Sequence, residues 1–251
     1  MARIPLIAGN WKMHTTVGEA TKLAQAIVEA TGRLEDRQVM LAPPFTALAA
    51  VADVLQGSAI NLGAQNICWE PKGAFTGEIS PVMLQDLGVT MAIVGHSERR
   101  HIFAETDALI NARVTGAIAH GIIPLLCIGE QLSERESGQT MATLEGQLRG
   151  SLKQVAITDP TKLVIAYEPV WAIGTGQTAT PAQAQEAHAF IRQTLTDLFQ
   201  KTVASQIRIL YGGSVNSGNV DTLMGQEDID GALVGGAALQ ADSFSRIINF
   251  Q

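Results

Sequence analysis

Polar side chains follow apolar runs at several points in the chain, in positions where proton-transfer chemistry could be built. Asn10 and Lys12 follow IPLIAG, His96 and Glu98 follow TMAIVG, and Glu168 closes the run LVIAYEP. A carboxylate at the edge of an apolar run is partly stripped of water. That raises its basicity and suits a general base taking a proton from a carbon beside a carbonyl. His96 precedes SERR, and a helix starting near Ser97 would set its positive end against the ring and favour a neutral imidazole. Of the six lysines, Lys12 alone immediately follows one of these runs. An ammonium fixed there would attract a phosphate or an enediolate oxygen, with Asn10 orienting it or binding substrate. His14, His101, His120 and His188 have no comparable position and read as structural.

Glycine-rich pieces follow three late apolar runs: IGTG (173–176), YGGS (211–214) and the pair Gly235, Gly236. Glycine lets backbone amides approach an anion closely, and a short helix after the last pair would add its dipole. Together they predict a phosphate site. The segment Pro169, Val170, Trp171, Ala172, Ile173, Gly174, Thr175, Gly176 has an apolar tip between a proline and glycines. It reads as a lid that would close over the site and exclude water.

The elements that must position these residues are regular. Eight short apolar runs recur at Ile4–Gly9, Val39–Pro44, Ala59–Gln65, Thr90–Gly95, Ile123–Gly129, Leu163–Pro169, Ile207–Gly213 and Ile229–Gly236. Runs apolar on both faces are strands covered by helices, as in parallel sheets. Helix starts lie between them. Thr16 with Glu19, Thr180-Pro181 with Gln183, and Ser133 with Glu136 read as capping boxes, and Ser80-Pro81 opens a short helix ending near Gly88. Gly138 is expected to split the segment after Ser133. No linker divides the chain. The expected fold is α/β: one closed (β/α)8 barrel domain over 1–251, eight parallel strands ringed by helices, with its site at the carboxyl ends of the strands.

Composition sets the remaining bounds. The 251 residues are 46% hydrophobic and 16% charged, with a net charge of −7, which disfavours a nucleic-acid partner. Cys68 and Cys127 cannot build a zinc cluster alone or a disulfide framework. The start, MARIPLIAGNWKMH, lacks the apolar core of a signal peptide, and no run has the length of a membrane span. A cytoplasmic protein without membrane partners is expected.

The ordered motifs GNWKM (9–13), GAQN (63–66), GAFTGE (73–78), VGHSERR (94–100), CIGE (127–130), AYEPVWAIGTG (166–176), YGGSV (211–215) and DGALVGG (230–236) resemble the triosephosphate isomerase family over essentially the whole length. The resemblance implies interconversion of dihydroxyacetone phosphate and glyceraldehyde 3-phosphate with no metal or cofactor. It implies Glu168 as base, His96 as electrophile, Asn10 and Lys12 as substrate-binding residues, and Glu98 as a second acid near the lysine. It further implies Gly174, Ser214, Gly235 and Gly236 around the phosphate, Cys127 as packing behind the site, and Ser97 and Arg99 as support. A homodimer is implied, with Thr76 at the tip of an arm reaching the partner. Two departures stand out: His14 where many members have Asn, and Gln177 where Lys is common. By residue chemistry alone, two other readings stay open: a Schiff-base phosphosugar lyase using a lysine, and a non-catalytic barrel that only binds.

Overall fold

The computed structural model describes residues 3–32, 34–174 and 177–251. Each apolar run supplies one strand: β1 (Leu6–Asn10), β2 (Gln38–Ala42), β3 (Ile60–Ala64), β4 (Met91–Val94), β5 (Ile123–Ile128), β6 (Val164–Tyr167), β7 (Arg208–Tyr211) and β8 (Gly231–Val234). They pair in parallel in sequence order, and β8 returns to β1 to close the barrel. Closure leaves no strand edge among them unpaired.

The helices are α1 (Val17–Thr31), α2 (Leu48–Leu55), α3 (Pro81–Asp86), α4 (Ser97–His101), α5 (Asp107–Ala119), α6 (Leu132–Glu136), α7 (Thr140–Ser151), α8 (Pro181–Leu198), α9 (Lys201–Ala204), α10 (Val220–Met224) and α11 (Ala241–Ile248). The alternation of each strand explains why its run is apolar throughout. Leu6, Ala8, Met40, Ile93, Leu125 and Val164 fill the barrel interior. Their neighbours Ile7, Val39, Val94, Leu126 and Ile165 face outward into a second core shared with the helices.

The start signals hold at three helices. Thr16 and Glu19 cap α1 reciprocally. Thr180 and Gln183 do the same at α8, with Pro181 in the first turn. The Ser80 hydroxyl accepts from the Met83 amide at α3. The box expected at Ser133 and Glu136 is instead Gln131 with Glu134, two residues earlier. Gln131 lies three residues after the end of β5, and its backbone amide donates to Glu134 Oε2 at 2.7 Å. Gly138 does part α6 from α7, with φ at +71°.

His188 of α8 is fully buried against the rings of Tyr167 and Tyr211. Its Nδ1–H donates to the Asp228 carbonyl at 3.1 Å, while Nε2 has no partner. Burial pushes its pKa down from 6.5 to about 3. The folded chain therefore holds this ring neutral where the unfolded chain binds a proton. Its contribution is constant above pH 6.5 and is lost as the pH falls from there towards about 3. Measured by urea unfolding across that range, stability should drop by up to about 1.4 kcal/mol per pH unit from this group. The slope should flatten in His188→Gln. A slope identical in the variant would assign the acid sensitivity elsewhere.

Candidate active site

The carboxyl ends of the strands surround a cavity of about 340 Å³, at the small end of ligand sites. Its wall includes Asn10, Lys12, His96, Glu168, Ile173, Gly174, Ser214, Gly235 and Gly236, all singled out by sequence. It also includes His14, Val215, Leu233 and Ala237, which were not. His14, read from the sequence as structural, is exposed and lines the cavity. The available signal was spacing, since Asn10, Lys12 and His14 recur every second residue.

Glu168 follows β6, is 2% exposed, and has both carboxylate oxygens engaged. Oε1 lies 2.9 Å from His96 Nε2, and Oε2 accepts the Ser97 amide at 2.8 Å. His96 is the residue before α4, and its Nδ1 accepts the Glu98 amide at 3.2 Å. When the ring is neutral, that bond leaves its proton on Nε2, the atom facing Glu168.

The electrostatics of this pair differ from the sequence reading. Burial opposes a charged imidazole, but the adjacent Glu168 carboxylate outweighs it, helped by Glu98, and raises the His96 pKa above its ordinary value. Burial likewise opposes the Glu168 carboxylate, yet His96, the Ser97 amide and Lys12 hold its pKa below the usual range. Sequence reasoning saw the burial but not that the two groups would meet. Cys127 lies buried beside them. Burial, reinforced by the Glu168 charge, pushes its thiol well above the ordinary range, so it is no thiolate nucleophile.

Lys12 carries an uncommon backbone for a side-chain residue, φ +51°. Three contacts hold it. Its amide donates to Asn10 Oδ1 at 3.0 Å, its carbonyl accepts from Gln65 Nε2 at 2.8 Å, and its Nζ donates to Glu98 Oε1 at 2.7 Å. Gln65 and Glu98 are not part of the wall; both hold Lys12, and Glu98 also holds His96. Arg99 pairs with Glu105 at 2.7 Å, behind the site.

Glu130, two residues after β5, is not part of the wall. It is fully buried and binds the start of the lid segment: Oε1 accepts from Trp171 Nε1 at 2.8 Å and from the Tyr167 hydroxyl at 3.1 Å, with Arg135 Nη1 at 3.3 Å. Val170–Ala172 form a 3-10 turn, and Ile173 and Gly174 reach the wall. Thr175 and Gly176 lie outside the described residues. Thr76 is exposed in the turn closed by the Glu78 amide on the Phe75 carbonyl, away from this cavity. Among the described residues, no group of three or more His, Cys, Asp and Glu is placed to hold a metal ion.

Glycines make the crowding possible. A Cβ on Gly129 would lie 1.7 Å from the Glu168 carbonyl oxygen, and one on Gly212 would lie 2.9 Å from Glu168 Cγ.

The family model described as triosephosphate isomerase matches residues 5–251. The triosephosphate isomerase of Chloroflexus aurantiacus is 55% identical over 249 residues, covering 99% of this chain and 100% of that one. That of a Roseiflexus species is 56% identical over 248 residues, covering 99% and 98%. That of Caldanaerobacter subterraneus is 51% identical over 248 residues, covering 99% and 100%.

The pairing can be tested without turnover. Glu168→Gln removes the carboxylate charge and leaves the burial, so the His96 pKa should fall from above to below its ordinary value, read from its ring resonances by NMR. An unchanged titration would mean that the carboxylate and the imidazole are not coupled as the distances require.

Proposed function

The chain belongs to the triosephosphate isomerase family, and from that membership we propose that its residues 1–251 act as one catalytic domain in which Glu168, His96 and Lys12 carry the proton transfers. The reaction of the family, interconversion of dihydroxyacetone phosphate and glyceraldehyde 3-phosphate, is the activity of this enzyme. The observation that carries the residue assignment is that all three side chains line one small cavity.

Glu168 takes the proton from the carbon beside the substrate carbonyl and returns it to the neighbouring carbon. His96 Nε2–H donates to the carbonyl oxygen as charge builds there, and its ring moves protons between the two enediolate oxygens. The Lys12 ammonium stabilises the oxyanion and the phosphate. Glu98 keeps that ammonium in place through the 2.7 Å ion pair. Gly174, Ser214, Gly235 and Gly236 supply the phosphate site, the last two at the start of the 3-10 turn Gly236–Leu239.

Substrate must displace the resting contact between Glu168 and His96, because that contact occupies the atoms both need. The displacement has a useful sign. Each group loses the largest of the partners that oppose burial, and burial then weighs more in its pKa. Burial raises the basicity of Glu168 and favours a neutral His96, the states that proton abstraction and hydrogen-bond donation require. Binding of the remote phosphate supplies the free energy for this exchange and for closing the lid over it.

A coupled assay with glyceraldehyde 3-phosphate and no added metal tests the reading. Glu168→Asp withdraws the base by one methylene, and kcat should fall about a hundredfold with KM little changed. An undiminished kcat would remove Glu168 from the role. Zero turnover by the folded wild-type protein would favour a barrel that only binds.

We also propose a homodimer in the cytoplasm. Met13, Phe75, Val82, Met83, Ile102 and Phe103 are exposed apolar side chains, Met13 at 94%, and Phe75 adjoins Thr76 at the tip of the arm. Two buried free cysteines fit a reducing compartment. Sedimentation equilibrium at micromolar protein should give twice the chain mass; a fully active monomer would oppose the arm's role.

A further inference from the structure

The amino-terminal end of the barrel, opposite the candidate active site, holds a second cavity of about 310 Å³. Its wall combines Arg208 at the start of β7, Gln38 at the start of β2, Gln206, and the apolar side chains of Ile4, Ile123 and Pro160. Arg208 is unlike the other arginines. Among the ten described, nine form an ion pair with a carboxylate, and Arg208 does not. Its guanidinium makes one hydrogen bond among the described residues, from Nη1 to Gln38 Oε1 at 2.7 Å. A guanidinium has five N–H donors, so most of this one is uncommitted. Burial of this half-buried side chain lowers its pKa despite the attraction of Asp230.

The nearby carboxylates are already taken. Asp230 is bound by Arg3, by Arg192 at 2.7 Å and by the Ile209 amide at 2.9 Å. Asp159 accepts from the Thr161 amide at 2.9 Å and its hydroxyl at 2.7 Å. Arg3 also lines the cavity, but each of its three nitrogens is already engaged, by Asp230 and by the carbonyls of Ser205 and Glu227. One guanidinium with uncommitted donors therefore shares the wall of a recess with Ile4, Ile123 and Pro160, and Ile4 there is 53% exposed.

We propose that this recess is a binding site for a small organic monocarboxylate, held by the Arg208 fork with its hydrocarbon body against Ile4, Ile123 and Pro160. The planar fork matches two carboxylate oxygens, and an apolar body would cover the exposed isoleucine. A phosphate ester fits less well, since its charge of up to about −2 would meet one unpaired cation and its head would meet hydrocarbon. The site is independent of the catalytic cavity: strands of four to six residues separate the two ends, a distance of about 13–20 Å.

The test uses the intact protein, with butyrate and inorganic phosphate as probes. Butyrate should shift the methyl resonances of Ile4 and Ile123 saturably, with a dissociation constant of about 1 mM, the scale of a weak small-molecule site. Arg208→Gln should weaken binding about tenfold or more while kcat stays unchanged. Ile4→Ser, at an exposed position, should weaken butyrate but not formate, which has no body to cover. No saturable shift, equal binding by Arg208→Gln, or tighter binding of inorganic phosphate would each overturn the proposal. So would displacement of butyrate by dihydroxyacetone phosphate, which would place the carboxylate in the other cavity.

Discussion

Burial pushes a carboxylate and an imidazole in opposite protonation directions, and in this barrel the two are held 2.9 Å apart with almost no access to water. Neither would stay charged there alone. Together they are stable in the resting site, and each is reactive once the other is withdrawn. The cavity therefore needs the ends of β4 and β6 at a fixed spacing, although these strands are not neighbours. β5 lies between them and sets it. Val94 of β4 is in register with Leu126, and Tyr167 of β6 with Ile128. Gly129, the next residue after β5, then passes so close under Glu168 that no side chain fits.

The lysine is positioned by a different device. Leaving the strand with φ at +51° costs a residue with a side chain about 1–2 kcal/mol. Asn10 takes the amide and Gln65 the carbonyl of that residue, so both of its backbone groups are satisfied in the strained turn. Glu98 then fixes the far end of the side chain. Because His96 Nδ1 accepts the amide of the same Glu98, the ammonium and the imidazole are tied to one residue. Movement of the α4 start would disturb both at once.

Most of this architecture was legible because barrel strands announce themselves twice, by unbroken apolar runs and by the polar or glycine residues that end them. Six of the eight strands lie within their runs, β1 and β2 each overrun theirs by one residue, and Asn10, Lys12, His96, Glu168, Gly174, Ser214, Gly235 and Gly236 reach one wall. What was hidden depends on contacts between residues distant in sequence. The pKa directions of Glu168 and His96 come from a pair 72 positions apart. Glu130 has the same local signature as Glu168, a carboxylate after an apolar strand, yet it turns to Trp171 and Tyr167. Only the packing of those rings separates an anchor from a base. The α6 cap was misplaced because Ser133 is the better capping residue in isolation, while Gln131 is the one that the end of β5 brings to the helix start.

The two ends of the barrel handle charge by contrasting rules. At the amino end, ion pairs link segments far apart in sequence. Arg192 of α8 binds Asp228 and Asp230 ahead of β8, and Asp230 also takes Arg3 ahead of β1. Asp230 satisfies cations from two segments, so removing it would strand buried charge. At the carboxyl end the pairs are partial. Lys12 has one anionic partner and remains on the cavity wall, and Glu168 is matched by contacts that a ligand can replace. A saturated charge network resists rearrangement, whereas a half-satisfied one is free to accept a ligand. With Arg208 as the exception, the first kind lies where strands begin and the second where they end, and that division lets one sheet keep its shape while its site exchanges partners.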